Sequence, residues 1–363
     1  MKLKSMLLAS GAALGMMAAP ALAQQTWTMT TTWPSSIALI EIDRKFVENA
    51  NMLLGDELTI QFHDGGSLVP AFEVFDAVSS GTIEASGDWP GYWAGRDPAF
   101  NPLATHASLF NAIDYVNWTQ QWGGFDHYQE IYGQFGMVYL PYGVTNNESG
   151  FRTNVPIRSV SDLEGMRLRI AGLEQGRLLQ RLGGSQVAMG GGELYQAAER
   201  GVIDGFEFST PDVDWAAGFH EVTSYWATPG WHQSSALFGV MINENAWNQL
   251  SEETQQKLRI AADATMLWSL SNTERAANEA YALFDEAVEI TRMPDDELEM
   301  VQQMANEVIE EVACEFPSSA RVYVSQLEYL QDYASWRNAS APFNLGRTPA
   351  SMPDLERIRE CAN

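Results

Sequence analysis

Two short stretches far apart in the chain, Ala77-Val-Ser-Ser-Gly81-Thr-Ile-Glu84 and Ala197-Ala-Glu-Arg-Gly201-Val-Ile-Asp204, follow one plan. Each closes a helix, turns at a glycine able to form a left-handed cap, and continues into β-branched residues suited to a strand. Such a repeat predicts two similar lobes, the alternative being a coincidence of a common turn. Length agrees with two lobes, because about 340 residues follow the first 23, more than one hydrophobic core usually serves.

The elements around the repeat set the fold class. Trp27–Trp33 alternates larger side chains with threonines and predicts a half-buried strand, ended by Pro34-Ser35-Ser36. Ile37–Leu54 lines up Leu39, Ile42, Phe46, Ala50 and Leu53 on one helical face, and Gly55 stops it. Leu58–Phe62 predicts a second strand and Phe72–Ser80 a second helix. This alternation predicts an α/β protein with mainly parallel sheets. Beyond about residue 240 the pattern turns helical, over Glu252–Phe284, Asp295–Val312 and Ser318–Trp336, which predicts helices bracing both lobes and offers a route to a homodimer. Ala341–Ser351 reads as an irregular connection to a last short helix, Pro353–Cys361. The expected division is 24–146 with 236–278 for the first lobe, and 147–235 with 279–363 for the second.

Lys2, Lys4, the apolar stretch Met6–Ala18, Pro20 and Ala21-Leu22-Ala23 predict a signal peptide over 1–23, cleaved after Ala23, and an exported protein, an uncleaved anchor being the alternative. No later stretch is apolar for long enough to cross a membrane. A net charge of −26 disfavours nucleic acid and anionic lipid as partners, and requires any anionic ligand to be held by local positive groups. Cys314 and Cys361 are the only cysteines, and export leaves a disulfide between them open.

No GxSxG, HExxH, GxxxxGK[ST] or GxGxxG motif is present, which weakens an enzymatic reading. The histidines, His63, His106, His127, His220 and His232, lack metal-ligand spacing. Gly190-Gly191-Gly192 lacks a following lysine and precedes Glu193, so it reads as a flexible turn before a helix at Leu194. Three classes stay open: a binding receptor, an exported hydrolase or lyase using Glu207 and Glu193 as acid and base, and an adhesive or structural protein.

The most informative region begins at Phe151 and reads as strand, proline turn, a helical turn capped by Ser161 or Asp162 and released by Gly165, then a strand carrying Arg169 between Leu168 and Ile170. A strand-borne guanidinium at a crevice suits a carboxylate, while a structural salt bridge is the competing role.

The run from Phe151 to Arg169, followed by Leu182-Gly183, Val187-Ala188-Met189, Glu193-Leu-Tyr195-Gln-Ala197, Gly201-Val-Ile-Asp204-Gly205 and Glu207, resembles the solute-binding subunits of TRAP (tripartite ATP-independent periplasmic) transporters over nearly the whole chain. The resemblance implies a two-lobed periplasmic receptor with a hinge and long bridging helices. It also implies membrane subunits as partners, no catalysis, and an organic acid whose carboxylate pairs with Arg169. Thr31-Thr32-Trp33-Pro34, the aromatic run Trp89 to Trp93 before Arg96-Asp97-Pro98, and Pro229-Gly230-Trp231 are most similar to the branch that binds 2-oxo acids such as pyruvate with a cation. Lactate and C4-dicarboxylates are the other acids considered. By that likeness Glu207, the Phe208 carbonyl and Asn146 hold the cation, and Trp33, Tyr92, Trp93, Phe208 and Trp231 wall the ligand. Gln233 stands where the branch has a second acid and can still give the cation a neutral carbonyl oxygen. One carboxylate with neutral oxygens favours Na+ over Ca2+.

Overall fold

The computed structural model describes residues 25–107 and 109–340. Its strands are β1 (Gln25–Thr31), β2 (Leu58–Phe62), β3 (Ala85–Asp88), β4 (Met137–Thr145), β5 (Phe151–Thr153) and β6 (Arg167–Arg169), then β7 (Ser185–Val187), β8 (Gly205–Phe206), β9 (Tyr225–Thr228), β10 (Ala236–Asn243) and β11 (Glu289–Arg292). They form one sheet in the order β2-β1-β3-β10-β4 and another in the order β11-β9-β5-β8-β6-β7. Parallel pairs outnumber antiparallel ones by five to four. Every antiparallel pair involves β5 or β10, strands that border the segments 146–150 and 229–235 by which the chain crosses between the sheets.

The repeated turn is real on both sides. After the helix Val74–Ser79, the Thr82 N–H reaches the Ala77 carbonyl and the Gly81 N–H that of Val78. After the helix Leu194–Glu199, Val202 reaches Ala197 and Gly201 reaches Ala198. These are matching left-handed glycine caps, with φ of 75° at Gly81 and 66° at Gly201. The strands begin three residues later than the echo implies, at Ala85 and Gly205. The preceding Ile83 and Ile203 are buried outside the sheets, where each anchors its turn.

Most other expectations hold within a few residues. The first strand stops at Thr31, whose hydroxyl accepts the Trp33 N–H at 3.3 Å and turns the chain. The short helical turn is Val160–Leu163, capped by Ser159 with Asp162 closing a reciprocal capping box, so Ser161 is not the cap and Asp162 lies inside the turn. Pro353–Cys361 lies outside the described residues, so the Cys314–Cys361 pairing does too; Cys314 itself is exposed.

The helix Glu252–Ala287 begins at a Ser251 cap and, at 36 residues, is roughly 54 Å long. It packs on β4 and the helix Ile40–Leu54 in the first lobe, and on the helix Pro211–Ala216 in the second. The helix Asp295–Glu315 lies on the helix Leu173–Arg181 of the second lobe, whereas Pro317–Ser340 returns to the helices Phe100–Ala104 and Gly124–Gly133 of the first. The expected division assigned all of 279–363 to the second lobe, and this returning helix departs from it. Its Ser325 hydroxyl accepts the Trp118 indole N–H at 3.0 Å. No helix among the described residues is long and apolar enough to cross a membrane.

The crossovers lie against each other with no room to spare. A Cβ on Gly230 would overlap the Glu148 carbonyl, and one on Gly150, where φ is 104°, would overlap the carbonyl of Ala227. Gly230→Ala should therefore cost about 1–3 kcal/mol of stability, read from denaturant unfolding. An unchanged midpoint would show that the crossovers can part freely.

Candidate functional site

Arg169 ends β6 and Glu207 directly follows β8, its parallel neighbour. Adjacent strand ends therefore present both side chains at one edge of the second sheet, where open α/β sheets bind ligands. Arg169 Nη1 donates to the Glu207 carboxylate and to the Glu207 main-chain carbonyl, each at 2.9 Å, and Nε donates to the Met189 carbonyl at 3.2 Å. The Ala171 N–H adds a bond of 2.7 Å to the same carboxylate. Both residues are buried, and the guanidinium also lies 5.4 Å from the centre of the Phe208 ring.

The crossovers complete the site. Glu148 comes from the first, His232 and Gln233 from the second, and the Glu148 N–H donates to the Gln233 carbonyl at 3.2 Å. The Gln233 amide donates to the Glu148 carboxylate at 2.7 Å, and His232 Nε2 lies 3.1 Å from Glu148 and 3.5 Å from Glu207. Ligand atoms of Glu148, Glu207 and His232 fall within 4.8 Å of one another. Gln233 Oε1 is buried without a hydrogen-bond partner. Leu39, Trp89, Tyr92, Phe208 and Phe238 close the walls around a cavity of about 20 Å3. One water needs roughly 10–15 Å3 by this measure, so the closed site has room for about one water.

Burial dominates the electrostatics. It raises the Glu148 carboxyl to about 8 against the hydrogen bond from His232. Burial opposes the charged form of His232, but hydrogen bonds to Glu148 and Glu207 and their charges prevail and raise it to about 9. For Glu207 burial pushes upward, yet the Arg169 charge, His232 and the Ala171 N–H hold it below the usual carboxylate range. The cluster thus retains protons on Glu148 and His232 at neutral pH while Glu207 stays ionised against Arg169.

The structure gathers Arg169, Glu207, Phe208, Tyr92 and Gln233 around the cavity. The other expected residues lie elsewhere. Trp93 donates its indole N–H to Asp88 at 2.7 Å and packs on Phe75 in the first-lobe core. The tight turn Pro90–Trp93 explains the split: residues three apart share a face in such a turn, so Tyr92 joins Trp89, their ring centroids 5.0 Å apart, and Trp93 points away. Trp33 is core, its ring edge-on to Phe238 at 5.6 Å, and it does not line the cavity. Trp231 shares Phe151 with His232 but lines a separate cavity with Asn147 and Leu298. Asn146 precedes the bend at Asn147 and does not line the cavity; Glu148 does. Glu148 and His232 were not selected from the sequence, and no spacing rule links residues so far apart. Gly191, in the triple-glycine turn, must be glycine because a Cβ there would overlap the Phe208 ring.

The profile of a family described as bacterial extracellular solute-binding protein, family 7 (DctP), matches residues 29–315. A monocarboxylate 2-oxoacid-binding periplasmic protein of Nostoc is 29% identical over 315 residues, 86% of this chain and 86% of that protein. A TRAP transporter solute-binding protein of Bordetella bronchiseptica, solved as a mixed-occupancy dimer with copurified calcium and picolinate, matches with a TM-score of 0.83 at 25% identity, covering 93% of this chain and 98% of that one. One from Colwellia psychrerythraea, with bound calcium and pyruvate, gives 0.82 at 27% identity, covering 88% and 98%.

The raised groups fix the sign of a pH effect. His232 goes from 6.5 to about 9 and Glu148 from 4.5 to about 8 on folding, so both contributions are present at low pH and lost as pH rises through the folded values. In chelator, denaturant-derived stability should fall between pH 4.5 and 9, and His232→Asn should flatten the part of that slope above pH 6.5. A level wild-type profile would contradict the assignment.

Proposed function

This chain belongs to the DctP family of bacterial extracellular solute-binding proteins, and from that premise we propose that it is the periplasmic receptor that captures a short 2-oxo monocarboxylate with a cation and delivers it to TRAP membrane subunits. The observation that carries this reading is one buried cavity holding a guanidinium, two carboxylates and an unpaired amide oxygen between two lobes. Closing over an anion strips it of water, which is costly unless each oxygen is paired. Arg169 supplies the charge: its Nε and Nη1 are taken by protein oxygens, and Nη2 is the edge for a ligand carboxylate. The cavity as closed has room for about one water and does not set the size of the acid; the relatives that bind 2-oxo acids or pyruvate support this class.

A cation fits the donor set. Glu148 and Glu207 offer carboxylate oxygens, Gln233 Oε1 a neutral one, and the Phe208 carbonyl stays a candidate by family likeness. When bound, the ion would hold the keto oxygen of the acid and offset its charge. The expectation of sodium counted a single carboxylate. With Glu148 there are two, and with the ligand three, a count that suits calcium. Binding would expel the protons retained by Glu148 and His232, so cation affinity should rise with pH.

Pyruvate with calcium should raise the melting temperature of the wild-type protein, as for any ligand that binds only the folded state, and NMR should find the pyruvate chemically unchanged. Arg169→Ala should raise the dissociation constant at least about a hundredfold, and Glu148→Gln should remove its dependence on calcium. Wild-type affinity in Arg169→Ala, or pyruvate turnover, would overturn the reading.

A further inference from the structure

The helix Leu173–Arg181 starts four residues after the ligand arginine and has no cap of its own, since Gly172 holds the N-cap position with φ 92° and no side chain to accept. The first N–H groups of a helix need acceptors from outside it. Here the Leu173 N–H donates to Asn101 Oδ1 at 2.6 Å, and Asn101, fully buried, belongs to the helix Phe100–Ala104 of the opposite lobe. The next two side chains also reach out of the second sheet's lobe, Glu174 without a hydrogen bond. Glu174 faces His106 of the first lobe, Oε2 to Nδ1 at 3.9 Å, both buried. Gln175 donates its amide to the His232 carbonyl in the second crossover at 3.4 Å. One residue upstream of Gly172, Ala171 is held by Glu207. A continuous stretch therefore runs from the ligand cavity into contacts between the lobes.

We propose that Asn101 is a closure latch: it caps the helix Leu173–Arg181 across the cleft only when the lobes are together, and so raises ligand affinity without touching the ligand. On opening, the Leu173 N–H returns to water and Asn101 loses its partner, so the capping energy belongs to the closed form alone. A side-chain cap is worth roughly five- to tenfold in an equilibrium. Apparent affinity scales with the fraction of protein already in the binding-competent form, so the same factor passes to the dissociation constant. The latch rests on the receptor reading of the cavity, and its test separates the two.

Two substitutions on opposite lobes delete one hydrogen bond. Asn101→Ala removes the acceptor. Leu173→Pro removes the donor while keeping the helix, because proline suits the first helical position and Gly172, with ψ 152°, can precede it. Single-molecule energy transfer between dyes on the two lobes gives the closed fraction of the ligand-free chain, and calorimetry with pyruvate and calcium gives affinity. Each variant should lower the closed fraction and weaken affinity by a common factor, roughly five- to tenfold, with the ranking of pyruvate, lactate and malonate unchanged. The double variant should match either single one, as expected when both remove the same contact. Unchanged closed fractions, additive effects or an altered ranking would each overturn the latch. If the wild type binds no pyruvate, the ligand assignment fails by itself, and the closed fractions still decide the latch.

Discussion

Gly150 and Gly230 allow the two crossover segments to press backbone against backbone, with the Glu148 carbonyl lying where a side chain at 230 would begin. Much follows from that contact. It holds β4 beside β10 in one sheet and β5 beside β9 in the other, which introduces the antiparallel pairs into sheets otherwise built from parallel strands. It also carries Glu148 to His232 and Gln233, so the segments about which two lobes can move are the same ones that furnish Glu148 and Gln233 to the cavity. A movement of the lobes must therefore disturb the cavity, and a ligand in the cavity must resist the movement.

The cavity concentrates charge that the rest of the molecule would repel or leave in water. The chain carries a net −26, yet Arg169 and His232 are both buried against the Glu207 carboxylate. Buried charges persist only when paired and hydrogen-bonded, and the pairing here is deliberate in its geometry: Glu207 takes bonds from Arg169 and Ala171, while Glu148 takes them from His232 and Gln233. The retained protons stand in for positive charge that a cation would otherwise bring. A different buried pair, Arg152 with Asp214 at 3.0 Å, has no part in the cavity; it lies against the Trp226 and Phe284 rings and braces the second lobe.

Local chemistry was legible wherever one element decided the matter. The paired glycine caps after Ala77–Ser80 and Ala197–Arg200, the helical faces of Ile40–Leu54 and Glu252–Ala287, and the strand-borne Arg169 all follow from periodicity and backbone preference over a few residues. Family likeness added Glu207 and Gln233. Aromatics were harder, because Trp33, Trp93 and Trp231 carry the same chemistry as Tyr92 and differ only in the direction a turn or an alternation gives them.

By itself, then, the sequence determined an α/β chain of two like lobes braced by long helices, with an arginine at a strand end. Tertiary structure alone decided that Glu148 joins His232 and Glu207, that Trp93 turns to Asp88 and not to the cavity, and that Asn101 caps a helix of the other lobe. The physical reason is range. Helix faces, caps and strand alternation are set by neighbours within about four residues, whereas a cluster spanning positions 148, 207 and 232 exists only after two crossovers have been brought side by side.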